Sequence, residues 1–553
     1  MPFPAPPHRH GYRTADRRRT TNRHRTTDRH RPADRRRAAW RGGTALLVVG
    51  PLVVGLLGAA SCSPPGSPGA VPDRPSAAAD GPGPSWRACP ELAEQVYGNV
   101  PAGTSYDCAT IEVPLDWTPA TSETLPLALI RVRAAGQRDR IGSLVVNPGG
   151  PGVPGIETAI HLSLGERLGG LPDEVLRRFD VVGFDPRGVG RSAPIRCVAD
   201  ADWDATFGAD PDPRDPDEFA ALVELSRRIG AGCGARYDPE QLAGYSTHQA
   251  ARDLDAVRAA VGDDRLTYLG YSYGTLLGAT YAHLYPRRVR ALVLDGAIDP
   301  EQDLVAGSLG QAAGFERALA TFVDWCARRP TRCPISADPR AALDQVLARA
   351  RSAPVTGPDG REATAGWIFY AMVASLYDEA GWARLGDAVA ALRDGDPRPV
   401  FTLADAYAGR DAAGGYSHLF TANLAVNCAD SELDLTTAQV RDLQGQWRET
   451  YPVFGAPLAV GLLSCVHWPG RADPYPTGPA VGAPPILVIG TTGDPATPYE
   501  QAPRLAELLG VGVLLTREGN EHTAYPHVDC VARLVDAYLI ELTVPADGER
   551  CPV

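Results

Sequence analysis

From residue 141 onward this chain is punctuated by short apolar runs that break off into glycine- or proline-rich turns. IGSLVVNPGGPG (141–152), FDVVGFDPRGVGRS (179–192), RLTYLGYSYGTLL (265–277), VRALVLDG (289–296), PPILVIGTTGDPAT (484–497) and GVLLTREGNEH (512–522) share this form. An apolar run without polar alternation suits a strand buried on both faces, and such strands belong to parallel sheets covered by helices. Helical patterns lie between them. THQAARDLDAVRAAVG (247–262) opens on a cap candidate, Thr247, and sets Ala251, Leu254, Val257 and Val261 on one face. The alternation predicts an α/β fold with a mostly parallel sheet, helices on both faces and ligand sites at the strand C-termini. Ahead of it, CATIEVPLDW (108–117) and LPLALIRVRA (125–134) alternate apolar residues and read as an opening antiparallel pair.

Between residues 301 and 480 the strand–helix rhythm stops. The stretch reads as helix-rich, with RAALDQVLARARS (340–352) and AGRDAAGGYSHLF (408–420) as examples, and forms a helical cap inserted over the sheet. The core is then expected in two parts, residues 89–300 and 481–553.

The first 88 residues differ in kind. Residues 1–43 hold 13 Arg against 3 Asp in a degenerate repeat of Arg, His, Thr and Asp that cannot bury apolar surface. It reads as the basic, disordered n-region of an export signal. TALLVVGPLVVGLLGAASC (44–62) supplies the apolar segment and ends in small residues. Ala59-Ala60-Ser61-Cys62 looks like a lipobox, which makes Cys62 the lipidated first residue of an envelope lipoprotein; the competing reading is ordinary signal cleavage nearby and secretion. Residues 63–88, rich in Pro, Gly, Ser and Ala, are a flexible linker. Without residues 1–43 the formal charge falls from −12 to −22, and a body that acidic repels nucleic acid.

Cysteine usage agrees with export. Setting Cys62 aside leaves ten cysteines, and neighbours in order close five loops: Cys89–Cys108, Cys197–Cys233, Cys326–Cys333, Cys428–Cys465 and Cys530–Cys551. With no C-x-x-C pair and no His at zinc-finger spacing, metal ligation and a cysteine nucleophile are set aside.

Within TYLGYSYGTLL, Gly270-Tyr271-Ser272-Tyr273-Gly274 fits G-x-S-x-G, a pentapeptide that a chain with 58 glycines can match by chance. Context decides. Leu266–Leu269 reads as a strand and Thr275–Tyr285 as a helix stopped by Pro286, so Ser272 sits where a nucleophile on a strand-to-helix turn would sit. A serine hydroxyl needs an imidazole to take its proton and a carboxylate to orient that imidazole. Asp494 follows the strand ILVIG and His522 follows VLLT, with His527 as the nearest rival base. The order Ser…Asp…His is that of α/β hydrolases. An oxyanion hole needs two N–H donors; Tyr273 supplies one, through its backbone rather than its ring, and Gly150 in the loop Asn147–Gly152 supplies the other.

VVNPGGPG, FDVVGFDPRGVGRS, YLGYSYGTLLGATYAHLYP, NCAD with a later SCVHWP, GDPATPYEQA and EHTAYPHVDC together resemble the secreted bacterial tripeptidyl aminopeptidases, α/β hydrolases related to proline iminopeptidases. The resemblance spans nearly all of residues 89–551. It implies a triad of Ser272, Asp494 and His522, a helical cap before Asp494, and exopeptidase cleavage of tripeptides from free N-termini, with no cofactor. Cys428 and Cys465 match a cysteine pair of that family. Two departures stand out. Val153-Pro154-Gly155 replaces a Gly-Ser-Gly, and Glu521 replaces a glycine, which is expected to set a carboxylate beside the imidazole and raise its pKa. For the substrate's ammonium, Asp430 and Glu157 are the candidate partners. A carboxylesterase uses the same machinery, and a non-catalytic envelope binding protein could keep the same shell; fold and triad do not choose between them.

Overall fold

The computed structural model describes residues 83–98, 100–118 and 121–553. The basic n-region, the apolar segment with Cys62 and nearly all of the linker fall outside the described residues.

A ten-stranded sheet forms the centre. In chain order its strands are β1 (Arg87–Ala88), β2 (Ser105–Pro114), β3 (Thr124–Arg133), β4 (Gly142–Asn147), β5 (Phe179–Phe184), β6 (Leu266–Tyr271), β7 (Val289–Asp295), β10 (Ile486–Thr491), β11 (Gly512–Arg517) and β12 (Glu549–Cys551). A separate hairpin pairs β8 (Val355–Thr356) with β9 (Glu362–Ala363). The order across the large sheet is β1-β2-β3-β5-β4-β6-β7-β10-β11-β12. The β1–β2, β2–β3 and β3–β5 pairs are antiparallel and the rest parallel. Every residue of β4, β5, β6 and β10 is buried, which is why their sequences are apolar throughout instead of alternating. Leu144, Leu269, Val293 and Ile489 face one layer of helices, and Val145, Tyr268, Leu292 and Val488 the other.

The helix Thr247–Ala260 buries Ala251, Leu254 and Val257, but its cap is Ser246, whose Oγ accepts from Gln249 N at 3.2 Å. Thr247 is freed for a bond to the cap instead, described below. The helical layer over the strand C-termini is built from two excursions, not one. Helices between Leu304 and Val466 follow β7. Asp200–Gly208 and Pro216–Gly234, which follow β5, add Trp203, Phe207, Ile229 and Cys233 to the same core as Phe315, Trp367, Trp382 and Phe401. Their apolar residues are at helical spacing in either setting, so sequence alone does not assign them to a layer. Residues 409–418, the bulk of the stretch 408–420, are not helical: the helix Arg398–Ala408 ends on Gly409 at φ 67°, and the chain loops through an Arg410–Tyr416 bridge before the helix Leu419–Ala429.

Five disulfides join Cys89–Cys108, Cys197–Cys233, Cys326–Cys333, Cys428–Cys465 and Cys530–Cys551. Among the described residues no helix is long and apolar enough to cross a membrane.

The turn after β5 is held by Arg187, whose side chain is 1% exposed and pairs in a fork with Asp253 at 2.7 and 2.6 Å while donating to the Leu115 carbonyl at 2.6 Å. Removing one partner strands a buried charge, which costs about 3–5 kcal/mol. Arg187→Met is expected to lower the urea midpoint accordingly, and Arg187→Met with Asp253→Leu to recover part of the loss.

Candidate active site

Strand β6 runs out at Tyr271, and Ser272 follows at φ 56°, ψ −122°, a conformation that L-residues rarely hold. The helix Tyr273–Leu284 starts at the next residue. The two motif glycines are explained by close approach: a β-carbon on Gly270 would lie 2.4 Å from the Gly274 carbonyl, and one on Gly274 would lie 2.8 Å from the Asn147 carbonyl. The strand-to-helix turn is thereby pressed against the end of β4 and its glycine loop.

Asp494 and His522 meet. Both are buried, and His522 Nδ1 lies 2.9 Å from each Asp494 carboxylate oxygen. Asp494 Oδ1 also accepts from Ala496 N at 2.8 Å and Thr497 N at 2.9 Å, and Oδ2 accepts from Thr497 Oγ1 at 2.8 Å. A carboxylate facing Nδ1 fixes the proton there and leaves Nε2 as the base. Sequence reading missed Thr497. Its signal is a hydroxyl three residues after an aspartate in a G-D-P-A-T turn, a spacing that lets side chain and backbone bond the same carboxylate.

Ser272 joins this pair through the backbone. Its N–H donates to the Asp295 carbonyl at 2.9 Å, and the adjoining Gly296 backs onto His522, where a β-carbon would come 3.3 Å from the imidazole Cε1. The Ser272 hydroxyl and His522 are not hydrogen-bonded to each other in this state; such bonds commonly tighten only with substrate in place. His527 lies apart, against Gly169 and near His161, and burial lowers the pKa of both imidazoles.

On the other side of Ser272 lies the glycine loop. Gly149 N is tied to Asn147 Oδ1 at 2.9 Å, and a β-carbon on Gly149 would lie 3.0 Å from Tyr273 N. The N–H groups of Gly150 and Tyr273 bond to no described residue, so both are available as donors. Asn423 of the cap donates to the Pro151 carbonyl at 3.1 Å and closes over the loop.

The ring of Tyr273 also has a role, contrary to the expectation that only its backbone matters. Its hydroxyl is 2.7 Å from Thr247 Oγ1, and Thr247 donates from Oγ1 to Asp430 Oδ2 at 2.6 Å and from its backbone N to Asp430 Oδ1 at 2.7 Å. Because the threonine proton goes to Asp430, the tyrosine donates to the threonine. Asp430 thus anchors the cap to the residue after Ser272. Burial pushes its carboxyl up to about 7 against the opposing pull of Thr247. It forms one wall of a crevice of about 440 Å³ shared with Asp303, Glu432, Asp434 and Tyr475. Glu157 stands on the helix Gly155–Leu162 that follows the glycine loop; burial raises its carboxyl and Arg191 opposes the shift. Glu521 is turned away from the imidazole and pairs with Arg517, so it is not the neighbour of the base that its position suggested. His522 is instead covered by Tyr377 of the cap, whose carbonyl accepts from His522 N at 2.9 Å and whose ring meets the imidazole edge-on at 5.3 Å. Among the described residues no three His, Cys, Asp or Glu side chains converge as metal ligands would.

The sequence model of the alpha/beta hydrolase fold family matches residues 142–525. The chain belongs to that family. It is 38% identical over 490 residues to the serine protease Hip1 of Mycobacterium tuberculosis, covering 84% of this chain and 90% of that protein. It is 36% identical over 531 residues to carboxylesterase B of Mycobacterium tuberculosis, covering 92% of this chain and 98% of that one. With the tripeptidyl aminopeptidase of Streptomyces lividans it shares 31% identity over 455 residues, covering 80% and 83% of the two chains. The chain is a serine hydrolase of the α/β type.

Thr497 bonds Asp494 directly and lies beside the His522 imidazole. Thr497→Val keeps the volume and removes the Oγ1 donor, a loss of about 1–2 kcal/mol of orientation for a charge-assisted bond. The variant is expected to lower kcat about tenfold with KM unchanged in steady-state assays.

Proposed function

We propose that this hydrolase is an exported exopeptidase that removes tripeptides from free N-termini, with Ser272 as nucleophile, His522 as base and Asp494 as the group that orients it. The reading rests most on the two 2.9 Å contacts between His522 Nδ1 and Asp494 beside a serine held at φ 56° on the end of β6. His522 Nε2 takes the Ser272 proton as Oγ attacks the scissile carbonyl. Charge develops on the carbonyl oxygen, to which the N–H groups of Tyr273 and Gly150 would donate. His522 then passes the proton to the leaving amine, and water, activated in the same way, releases the tripeptide from the acyl-enzyme.

The acidic residues around the site support peptidase over esterase. The acyl part of a tripeptidyl substrate reaches about 10 Å from the scissile carbonyl to its ammonium. Asp430 is joined to Tyr273 through Thr247, and Glu157 stands on the helix that follows the glycine loop, so these two carboxylates are the candidate partners for that ammonium. The crevice beyond Asp430 adds Asp303, Glu432 and Asp434 with no basic residue in its wall. The carboxylesterase reading is kept as the alternative because of the 36% identity to carboxylesterase B. A non-catalytic binding protein would not need the four donors gathered on Asp494. Five disulfides fit an oxidising compartment, and we place the enzyme outside the cytoplasm, as a secreted protein or one anchored by lipid at Cys62.

A tripeptide p-nitroanilide with a free amine is expected to turn over, its N-acetyl form to turn over poorly, and Ser272→Ala to lower kcat by at least about 10⁴-fold. Equal cleavage of both forms would refute amine recognition, and turnover of short acyl esters alone would favour the esterase. Glu157→Gln is expected to raise KM for the free-amine substrate about tenfold and leave the acetylated one unchanged.

Charge on Asp430 adds a pH dependence. Its carboxyl, pushed up to about 7, becomes anionic as pH rises through that value, and the peptide amine loses its proton above about 8. KM for the free-amine substrate should therefore fall between about pH 6 and 7.5 and rise again above 8, and Asp430→Asn should flatten the lower limb.

A further inference from the structure

The last residue of β7, Asp295, touches both halves of the reacting pair. Its carbonyl accepts from Ser272 N at 2.9 Å. Its carboxylate oxygen Oδ2 accepts from Ala524 N at 3.0 Å and Tyr525 N at 2.8 Å, the amides two and three residues beyond His522. The residue is fully buried, and its other oxygen, Oδ1, has no partner among the described residues. The neighbouring Gly296 continues the joint: its N–H donates to the Ile489 carbonyl at 3.2 Å, and its α-carbon faces the His522 carbonyl and ring so closely that a β-carbon would lie 3.0 and 3.3 Å from them.

We propose that Asp295 is a positioning residue that sets the Ser272–His522 distance by holding the nucleophile turn with its backbone and the histidine loop with its carboxylate. The inference rests on the reading of Ser272 and His522 as nucleophile and base. Asp494 orients the imidazole about its own axis but is carried on a different strand end and makes no bond to the Ser272 turn. Asp295 is bonded to both the serine turn and the histidine loop, and Gly296 beside it packs against His522. A carboxylate buried with one oxygen unpaired is a costly way to fill a core position, and a purely apolar contact could not receive two adjacent amides with a fixed direction. The arrangement makes the histidine loop's place depend on an acceptor at this point in β7.

The test compares wild type, Asp295→Ala and Asp295→Asn by three readouts: the rate of Ser272 labelling by a fluorophosphonate, kcat and KM on a tripeptide p-nitroanilide, and the thermal midpoint. Misplacement of a reacting group by about 1 Å costs about a hundredfold. Asp295→Ala is expected to slow both labelling and kcat by about that factor with KM within about twofold of wild type. Asp295→Asn, whose amide oxygen still accepts, is expected to recover both to within about fivefold. Where the alanine variant fails to fold, Asp295→Ser replaces it, since its hydroxyl is too short to reach both amides. A folded alanine variant that labels and turns over at wild-type rate, with only its thermal midpoint lowered, would overturn the proposal, as would an asparagine variant no better than alanine. Labelling depends on neither peptide nor ester, so an unlabelled wild-type enzyme would overturn the assignment of Ser272 itself and be told apart from failure of the Asp295 proposal.

Discussion

The proposed site hangs on a serine held in a backbone conformation it does not prefer. A non-glycine residue at positive φ costs about 1–3 kcal/mol and persists only where its surroundings over-determine it. At Ser272 they do. The strand before it is buried along its whole length, the helix after it begins without a spacer, and the Ser272 N–H is taken by the neighbouring strand. Gly270 lets the turn fold back onto Gly274, and Gly274 and Gly149 let the end of β4 and its loop come into backbone contact with that turn. The strain and the free donors are therefore consequences of the same close packing, which leaves the N–H groups of Tyr273 and Gly150 without a partner among the described residues.

The cap is joined to that turn at several points. Tyr377 bonds the backbone of His522, Asn423 bonds the loop carrying Gly150, and Asp430 reaches the Tyr273 ring through Thr247. Each contact ties a residue of the cap to the imidazole, the glycine loop or the residue after Ser272. Binding energy collected on the cap can in this way be expressed at the reacting atoms, as rate enhancement requires when remote parts of a substrate are recognised. The cap's aromatic core, from Phe207 through Tyr370, Tyr407 and Tyr377 to the imidazole, makes the same connection through packing.

The core of the fold was legible because its signals are local. A strand buried on both faces has to be apolar at every position, and Gly270, Ser272 and Gly274 declare a turn that only close approach demands. Asp494 and His522 could be placed because each follows a strand directly. What could not be read depends on contacts between residues far apart in sequence. Ser246 and Thr247 are both acceptable caps in isolation; Asp430, 183 residues away, decides that Thr247 is needed elsewhere. Glu521 beside His522 looked like an influence on the base until Arg517, four residues back on β11, claimed it. The helices of residues 200–234 carry the same pattern whether they lie on the sheet or in the cap, and only the partners of Trp203 and Phe207 distinguish the two.

Asp494 and Asp295 show why residue type alone does not assign roles at such a site. Both end central strands or the turns just after them, both are buried, and both lie beside His522. Asp494 is surrounded by donors: two backbone amides, a threonine hydroxyl and the imidazole. Asp295 has two amides on one oxygen and none on the other, and burial pushes its carboxyl up to about 7, with the charges of Asp494 and Glu521 adding to the rise. An acid raised from its unfolded value contributes stability that is present at low pH and lost as pH climbs towards the folded value, here between about 4 and 7. A second full negative charge next to Asp494 is thus resisted, and the two carboxyls divide the work. One is dressed with donors so that it can face an imidazolium; the other is left poor in donors and suited to fixing backbone in place. That division follows from the donors each strand end happens to supply, which is why, in the proposed mechanism, one aspartate can orient the base while its neighbour holds the loop that carries it.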